Sequence, residues 1–227
     1  MSNQNLFVAL RNAFPADLDS TAVETDDGLV YSWRDLDRAT AMVANLLQSL
    51  DIPKSKDGVP PRVAVQVEKS VEAMVLYLAT LRAGFVFLPL NTAYQSAEIE
   101  YFIGNAAPAV VVCSGKNFPW VSPIAFKAGT RHVFTLNDDR SGSLLERAAH
   151  HSDVQTPAVR RADDLAAILY TSGTTGRSKG AMLSHGNLLS NAVMLKDYWG
   201  WEKGDVLIHA LPIFHVHGLF VAIHGAL

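Results

Sequence analysis

Cysteine is almost absent from this sequence: Cys113 is the single thiol in 227 residues. One cysteine closes no internal disulfide, which excludes a disulfide-stapled secreted scaffold and points to a reducing compartment, expected to be the cytoplasm. An excess of charge of one sign is lacking too. With 19 basic residues against 22 acidic and a net charge of −3, nothing supports a surface for nucleic acid or another polyanion. Long uninterrupted apolar runs are missing. Residues 71–90 are apolar on average, but Glu72, Arg82 and Gly84 interrupt them, and the apolar stretch near Leu227 holds Pro212 and three histidines, so no membrane partner is expected. The opening "MSNQNLFVALRNAF" lacks the basic-then-apolar pattern of a secretory signal. No internal repeat or low-complexity tract stands out.

What is present is an ordinary apolar fraction, 49%, in a length that buries roughly 70% of its unfolded surface. Leu6, Phe7, Leu10 and Phe14 fall at helical spacing and form a docking face. Ser32 is placed to cap a helix over Asp35, with Leu36, Thr40, Val43, Leu47 and Leu50 as its stripe. Strand-like "RVAVQV" (62–67) precedes a helix that Ser70 caps and Gly84 stops. "FVFLPL" is a strand, "SAEIEYFIGNA" a helix opening at Ser96, "AVVVC" a buried strand, "RHVFTL" (131–136) another, and "SLLERAAHH" a short helix. Alternating helices and continuous Val/Ile/Leu runs predict an α/β fold, its mostly parallel sheets covered by helices. The polar stretch 151–164 reads as an exposed connector, dividing a first α/β subdomain (1–160) from the start of a second (161–227).

The second part opens with "LAAILYTSGTTGRSKGAMLSHGNLL" (165–189), an apolar strand running into small hydroxyls and glycines. Gly173 and Gly176 let an anion approach main-chain N–H groups. Thr171, Ser172, Thr174 and Thr175 add hydroxyl donors, and Lys179 adds a point charge suited to phosphate. A Walker A loop requires Gly before the lysine and Ser or Thr after it, where this chain has Ser178 and Gly180. The next helix signal is Ser184, ahead of Leu188, Ala192, Leu195 and Trp199, with Gly200 as its stop, so the loop joins two strands. His209, His215, His217 and His224 match no standard zinc spacing, and no metal ligands are assigned. Read as a strand, their segment places His215 and His217 on one face.

"YTSGTTGRSKGAMLSHGNL" resembles the signature loop of the adenylate-forming superfamily, comprising acyl-CoA synthetases, luciferases and peptide-synthetase adenylation domains. "LATLRAGFVFLPLN" (78–91) resembles the early core motif of that family, and "LPIFHVHGL" (211–219) its fourth motif, with the aromatic–histidine pair Phe214 and His215. The resemblance implies the layered αβαβα fold of the family's large domain and two half-reactions. A carboxylate attacks the α-phosphate of ATP to give an acyl-adenylate and pyrophosphate; a thiol, usually of coenzyme A, then attacks the acyl carbon. It implies that Thr171, Ser172, Gly173, Thr174, Thr175, Gly176 and Lys179 hold the β- and γ-phosphates, with Mg2+ accompanying ATP.

Ser178 in "GRSKG", together with "LPIFHVHGLF", is similar to malonyl-CoA synthetases, which activate malonate and sometimes methylmalonate. A diacid needs a partner for its second carboxylate, because burying an unpaired charge is costly. Arg177 and His215 are the candidates. For Arg177 a solvent-facing position or a second phosphate contact is an equal alternative, and for His215 the alternative is a core histidine. With Lys179, His215 completes the expected catalytic set. The family's later Tyr-Gly-x-Thr-Glu stretch, ribose-binding aspartate and small C-terminal domain fall outside these residues. The expectation is therefore an N-terminal part of an AMP-forming acid–CoA ligase, inactive by itself. Rival readings are another acyl- or aryl-CoA ligase, a peptide-synthetase adenylation domain, and a non-catalytic module binding nucleotide or acyl ligand.

Overall fold

The computed structural model describes residues 2–53, 58–171 and 177–227. In chain order the elements are α1 (Leu6–Asn12), β1 (Thr21–Glu24), β2 (Val30–Ser32), α2 (Trp33–Ser49), β3 (Arg62–Gln66), α3 (Val71–Arg82), β4 (Val86–Pro89), α4 (Ser96–Ala106), β5 (Val110–Cys113), α5 (Phe118–Lys127), β6 (His132–Thr135), α6 (Ser143–Ala148), β7 (Leu165–Thr171), β8 (Lys179–Ser184) and α7 (His185–Trp199). A π-helical turn (His217–Ala222) and α8 (Ile223–Ala226) follow.

The caps behave as their side chains dictate. Ser32 and Asp35 make a reciprocal capping box, Ser70 accepts from the Ala73 N–H, and Ser184 pairs with Asn187 in a second box. Gly200 closes α7 in the left-handed conformation, φ 66°.

A six-stranded sheet has the order β6-β5-β3-β4-β7-β8. Its first five members pair in parallel, while β8 runs antiparallel to β7 at the edge. Parallel strands are covered on both faces, and the side chains alternate accordingly. Val63, Val65, Phe87, Val110, Val112 and Phe134 point into a core shared with α1, α2, α3 and α6. Ala64, Val86, Leu88, Val111 and Cys113 point into a second core under α4 and α5. A register shift between Leu165 and Ala167 interrupts the alternation in β7, and Ala166 and Ala167 both fall on the first face. β1 and β2 form a separate antiparallel ribbon. The sequence pattern does not reveal this ribbon, nor does it reveal α5, whose Pro119 and Pro123 read as breakers. Pro119 sits in the first turn, where its missing N–H costs nothing, and Pro123 removes one internal bond only.

The expected connector 151–164 holds no helix or strand, but it is tied down. Ala158 N–H donates to the Arg82 carbonyl at 2.9 Å, and Arg160 Nη2 donates to the Gly84 carbonyl at 2.6 Å. Strands from both sides of position 160 share one sheet, since β7 pairs with β4. Arg82 is the central tie. It is 6% exposed, donates through Nη1 to Asp37 Oδ1 (2.9 Å) and Thr40 Oγ1 (3.0 Å), and through Nε and Nη2 to Gln155. Its guanidinium also lies 4.8 Å from the Phe7 ring centroid. One cation thus joins α1, α2, α3 and the connector.

His185, fully buried at the start of α7, accepts the Leu6 N–H at Nδ1 (3.0 Å), so its proton sits on Nε2, which finds no partner among the described residues. Burial pushes its pKa down to about 4, with Arg160 adding to the effect. His224, bonded through Nε2 to Tyr77 Oη at 2.7 Å, is pushed down by burial to about 3.

Two stability predictions follow from these buried groups. Arg82→Met removes the donor to Asp37 Oδ1, leaving Asp37 with its Arg11 ion pair, and removes both donors to Gln155; it is expected to cost about 3 kcal/mol in urea unfolding. Below 6.5, the ordinary histidine value, the unfolded chain takes up protons at positions 185 and 224, which the folded protein refuses until about 4 and about 3 respectively. Stability is therefore complete above that value and falls below it, by on the order of 1–2 kcal/mol per ring near pH 5. His185→Asn keeps an acceptor for Leu6 and should remove about half of that pH dependence, read from urea midpoints at about pH 7.5 and pH 5.

Candidate nucleotide site

In open α/β sheets, ligands meet the carboxyl ends of the strands, where backbone groups and loops are not covered by helices. β7 ends there at Thr171. Ser172, Gly173, Thr174, Thr175 and Gly176 lie outside the described residues, and the chain resumes at Arg177. β8 begins at Lys179, which pairs with Thr171 across the antiparallel register, and Gly180 pairs with Tyr170. Thr171 Oγ1 donates to the Lys179 carbonyl at 3.4 Å. The expected arrangement of a loop joining two strands is therefore what the structure has, with a hydroxyl and an ammonium at opposite feet. Both residues are exposed.

Gly180 is required by packing. A Cβ there would stand 2.9 Å from Ile168 Cγ2 and 3.7 Å from the Tyr170 ring. The close approach lets the strand pair lie flat against an aromatic group formed with α4. Phe102 and Tyr170 have ring centroids 4.4 Å apart, Tyr101 and Tyr170 6.3 Å, and Tyr94 and Phe102 4.9 Å. Tyr101 Oη donates to the Ser178 carbonyl at 2.7 Å. Tyr170 Oη donates to Asn105 Oδ1 at 2.5 Å, and burial raises its pKa, which keeps the donor proton in place.

The two candidate cations for an acyl carboxylate lie in different surroundings. The Arg177 guanidinium sits over the Tyr101 ring, 5.7 Å from its centroid, on the α4 side of the loop. His215 is exposed, its ring 4.7 Å from that of Phe214. Among the described residues no hydrogen bond joins His215 to Arg177 or Lys179.

The strand expected through His215 and His217 is corrected. Gly218 packs so tightly on the preceding turn that a Cβ would meet the Pro212 carbonyl oxygen at 2.1 Å. The chain doubles back there and enters the π-helical turn at His217. The histidines have separate surroundings: His209 Nε2 bonds the Gly218 carbonyl at 2.8 Å, and His224 belongs to the Tyr77 cluster. Among the described residues, no group of three or more His, Cys, Asp or Glu side chains is placed to hold a metal ion. No helix among them is long and apolar enough to cross a membrane.

Local sequence reasoning did not identify Tyr101 and Asn105 as neighbours of the loop; Tyr170 adjoins it in the chain. Tyr101 is an aromatic at helical spacing, which reads as core, and Asn105 a polar residue in the last turn of α4. Topology brings them to the loop, because α4 packs over the carboxyl half of β7.

A sequence profile described as AMP-binding enzyme matches residues 11–227. ATP-bound MatB from Rhodopseudomonas palustris superposes with a TM-score of 0.91 at 52% identity, covering 99% of this chain and 43% of that one. The mitochondrial malonate–CoA ligase of Bos taurus is 33% identical over 70% of this chain and 26% of its own length. The oxalate–CoA ligase of Arabidopsis thaliana is 34% identical over 76% of this chain and 35% of its own. The chain therefore spans about a quarter to a third of the length of these curated relatives. With its sheet, its strand–loop–strand and its three motifs in order, the chain belongs to the AMP-binding enzyme family.

Proposed function

We propose that this chain is the phosphate-binding N-terminal part of an AMP-forming acid–CoA ligase whose acid is malonate, with methylmalonate as a possible second substrate. The observation that carries the reading is the exposed pair of Thr171 and Lys179 facing each other at the feet of the glycine-rich loop. Its support is the 52% identity to a MatB structure with ATP bound. ATP enters as its magnesium complex. The chemistry calls for charge stabilisation on the phosphates more than for acid–base groups. Lys179 meets the negative charge that grows on pyrophosphate as the acid carboxylate attacks the α-phosphorus. Coenzyme A then displaces AMP from the acyl carbon through its thiol. Thr171 and the loop residues Ser172 to Gly176 supply the remaining donors.

For the second carboxylate of a diacid we assign His215 and Arg177. Arg177 is the less committed of the two, since it also stands beside the loop as a potential phosphate contact. The compartment we assign is the cytoplasm, on the lone thiol Cys113, which is buried and pushed up to about 12.

The test grafts residues 1–227 in place of the matched part of MatB and measures pyrophosphate release. Malonate is expected to exceed acetate, butyrate and benzoate by at least about tenfold in kcat/KM, the range one unpaired buried polar group commands. Equal rates with acetate and malonate would remove the argument from the second carboxylate. Lys179→Ala should lower the malonate rate on the order of 100-fold. His215→Ala and Arg177→Ala are expected to raise KM for malonate and leave KM for ATP in place. A rise confined to ATP would reassign Arg177 to the phosphates.

A further inference from the structure

We infer that α4 positions the nucleotide loop, with Tyr101 and Asn105 holding its two feet through the Ser178 carbonyl and the Tyr170 hydroxyl. The inference rests on the phosphate-binding reading above and names residues outside the loop on which that binding depends.

Tyr101 and Asn105 are four residues apart and so lie on one face of α4, one turn from each other. Tyr101 Oη donates to Ser178 O at 2.7 Å, immediately before Lys179. Asn105 Oδ1 accepts from Tyr170 Oη at 2.5 Å, immediately before Thr171. A single rigid helix therefore contacts the chain one residue ahead of each foot. The Arg177 guanidinium stacked on the Tyr101 ring adds a third contact, on the exit side.

The strand pairing alone does not supply this hold. Among the described residues β8 is the edge of the sheet, with no neighbour on its outer side. Its Lys179 to Met182 are exposed, Met182 at 68%. Edge strands fray and slip more readily than central ones. Fixing the Ser178 carbonyl sets the orientation of the Ser178–Lys179 peptide plane, because that plane is rigid. The same bond therefore governs the direction from which the Lys179 side chain departs. A loop that must present several donors to one polyphosphate gains from feet that are already in place. Tyr101 and Asn105 touch no phosphate in this arrangement. They are positioning residues.

The experiment titrates the 227-residue chain with ATP and with inorganic tripolyphosphate, which carries the phosphate tail without the nucleoside. Four variants are compared with the unaltered chain: Tyr101→Phe, Asn105→Ala, Lys179→Ala and Glu100→Ala. The last removes an exposed α4 ion pair to Lys127 and serves as the control. Tyr101→Phe loses one hydroxyl and keeps the aromatic packing, so its thermal midpoint should stay within about 2 °C. Its Kd for ATP and for tripolyphosphate should each rise roughly five- to tenfold, with Asn105→Ala moving the same way and Glu100→Ala unchanged. A purely structural role would shift the thermal midpoint and leave the two Kd values alone. If Lys179→Ala weakens both ligands while Tyr101→Phe and Asn105→Ala bind as the unaltered chain does, the positioning role is overturned and the phosphate reading stands. If the unaltered chain binds neither ligand, or Lys179→Ala binds as well as it does, both fall together.

Discussion

Five parallel strands need cover on both faces, and the rest of the structure depends on that requirement. A parallel sheet with one wet face is not stable, so each strand is followed by a helix that returns over one side or the other. Here α3 and α6 return over the face that also receives α1 and α2, and α4 and α5 return over the opposite one. β7 joins beside β4 because its own faces are already provided for. Ala167 and Leu169 enter the first core, where Leu188 of α7 also packs, and Ile168 enters the core under α4. The hydroxyl-rich loop follows the carboxyl end of β7 at Thr171, the end at which open α/β sheets receive ligands.

Much of this is legible in the chain because the relevant forces are local. Ser32, Ser70 and Ser184 have short oxygens that reach N–H groups two or three residues ahead, and all three cap the helices their positions foretell. The runs "RVAVQV" and "AVVVC" carry no alternation because both sides of each strand are buried. The departures have equally physical causes. α5 survives two prolines because neither removes more than one internal bond. Trp199 completes an apolar stripe on paper yet is 52% exposed, since α7 packs only through its first turns, at His185 and Leu188. The His215–His217 segment has the alternation of a strand, but the absent Cβ of Gly218 lets the chain fold back on Pro212. No periodicity records a contact of that kind.

For the proposed site, the composition and order of the loop carry the reading, and the register adds the placement of its two feet. Lys179 is the first residue of a strand and stands opposite Thr171, which places donor and charge on the two feet. Arg177 and His215 look equivalent in the sequence, each a nitrogen-bearing side chain near a motif. The structure separates them: one is stacked on a tyrosine of α4, the other stands beside Phe214 near the π-helical turn. The dependence on Tyr101 and Asn105 is invisible in any window around the loop, because it is created by where a helix some seventy residues earlier comes to rest.

The polar groups divide into two populations, and the division explains which of them are free for a ligand. Arg82 donates to Asp37, Thr40 and Gln155, and Gln66, 2% exposed, donates to the carbonyls of Asn91 and Tyr94. Such groups hold elements together at low dielectric, and a group whose hydrogen bonds are already made has none to offer a substrate. Lys179 is the opposite case: it is exposed, and its side chain makes no ion pair or hydrogen bond among the described residues. Such an exposed ammonium is hydrated until a phosphate replaces the water, and among the described residues it has no partner to fix its direction. The aim of that side chain must come from the backbone beneath it. At an edge strand, that leaves the neighbouring helix to hold the backbone still.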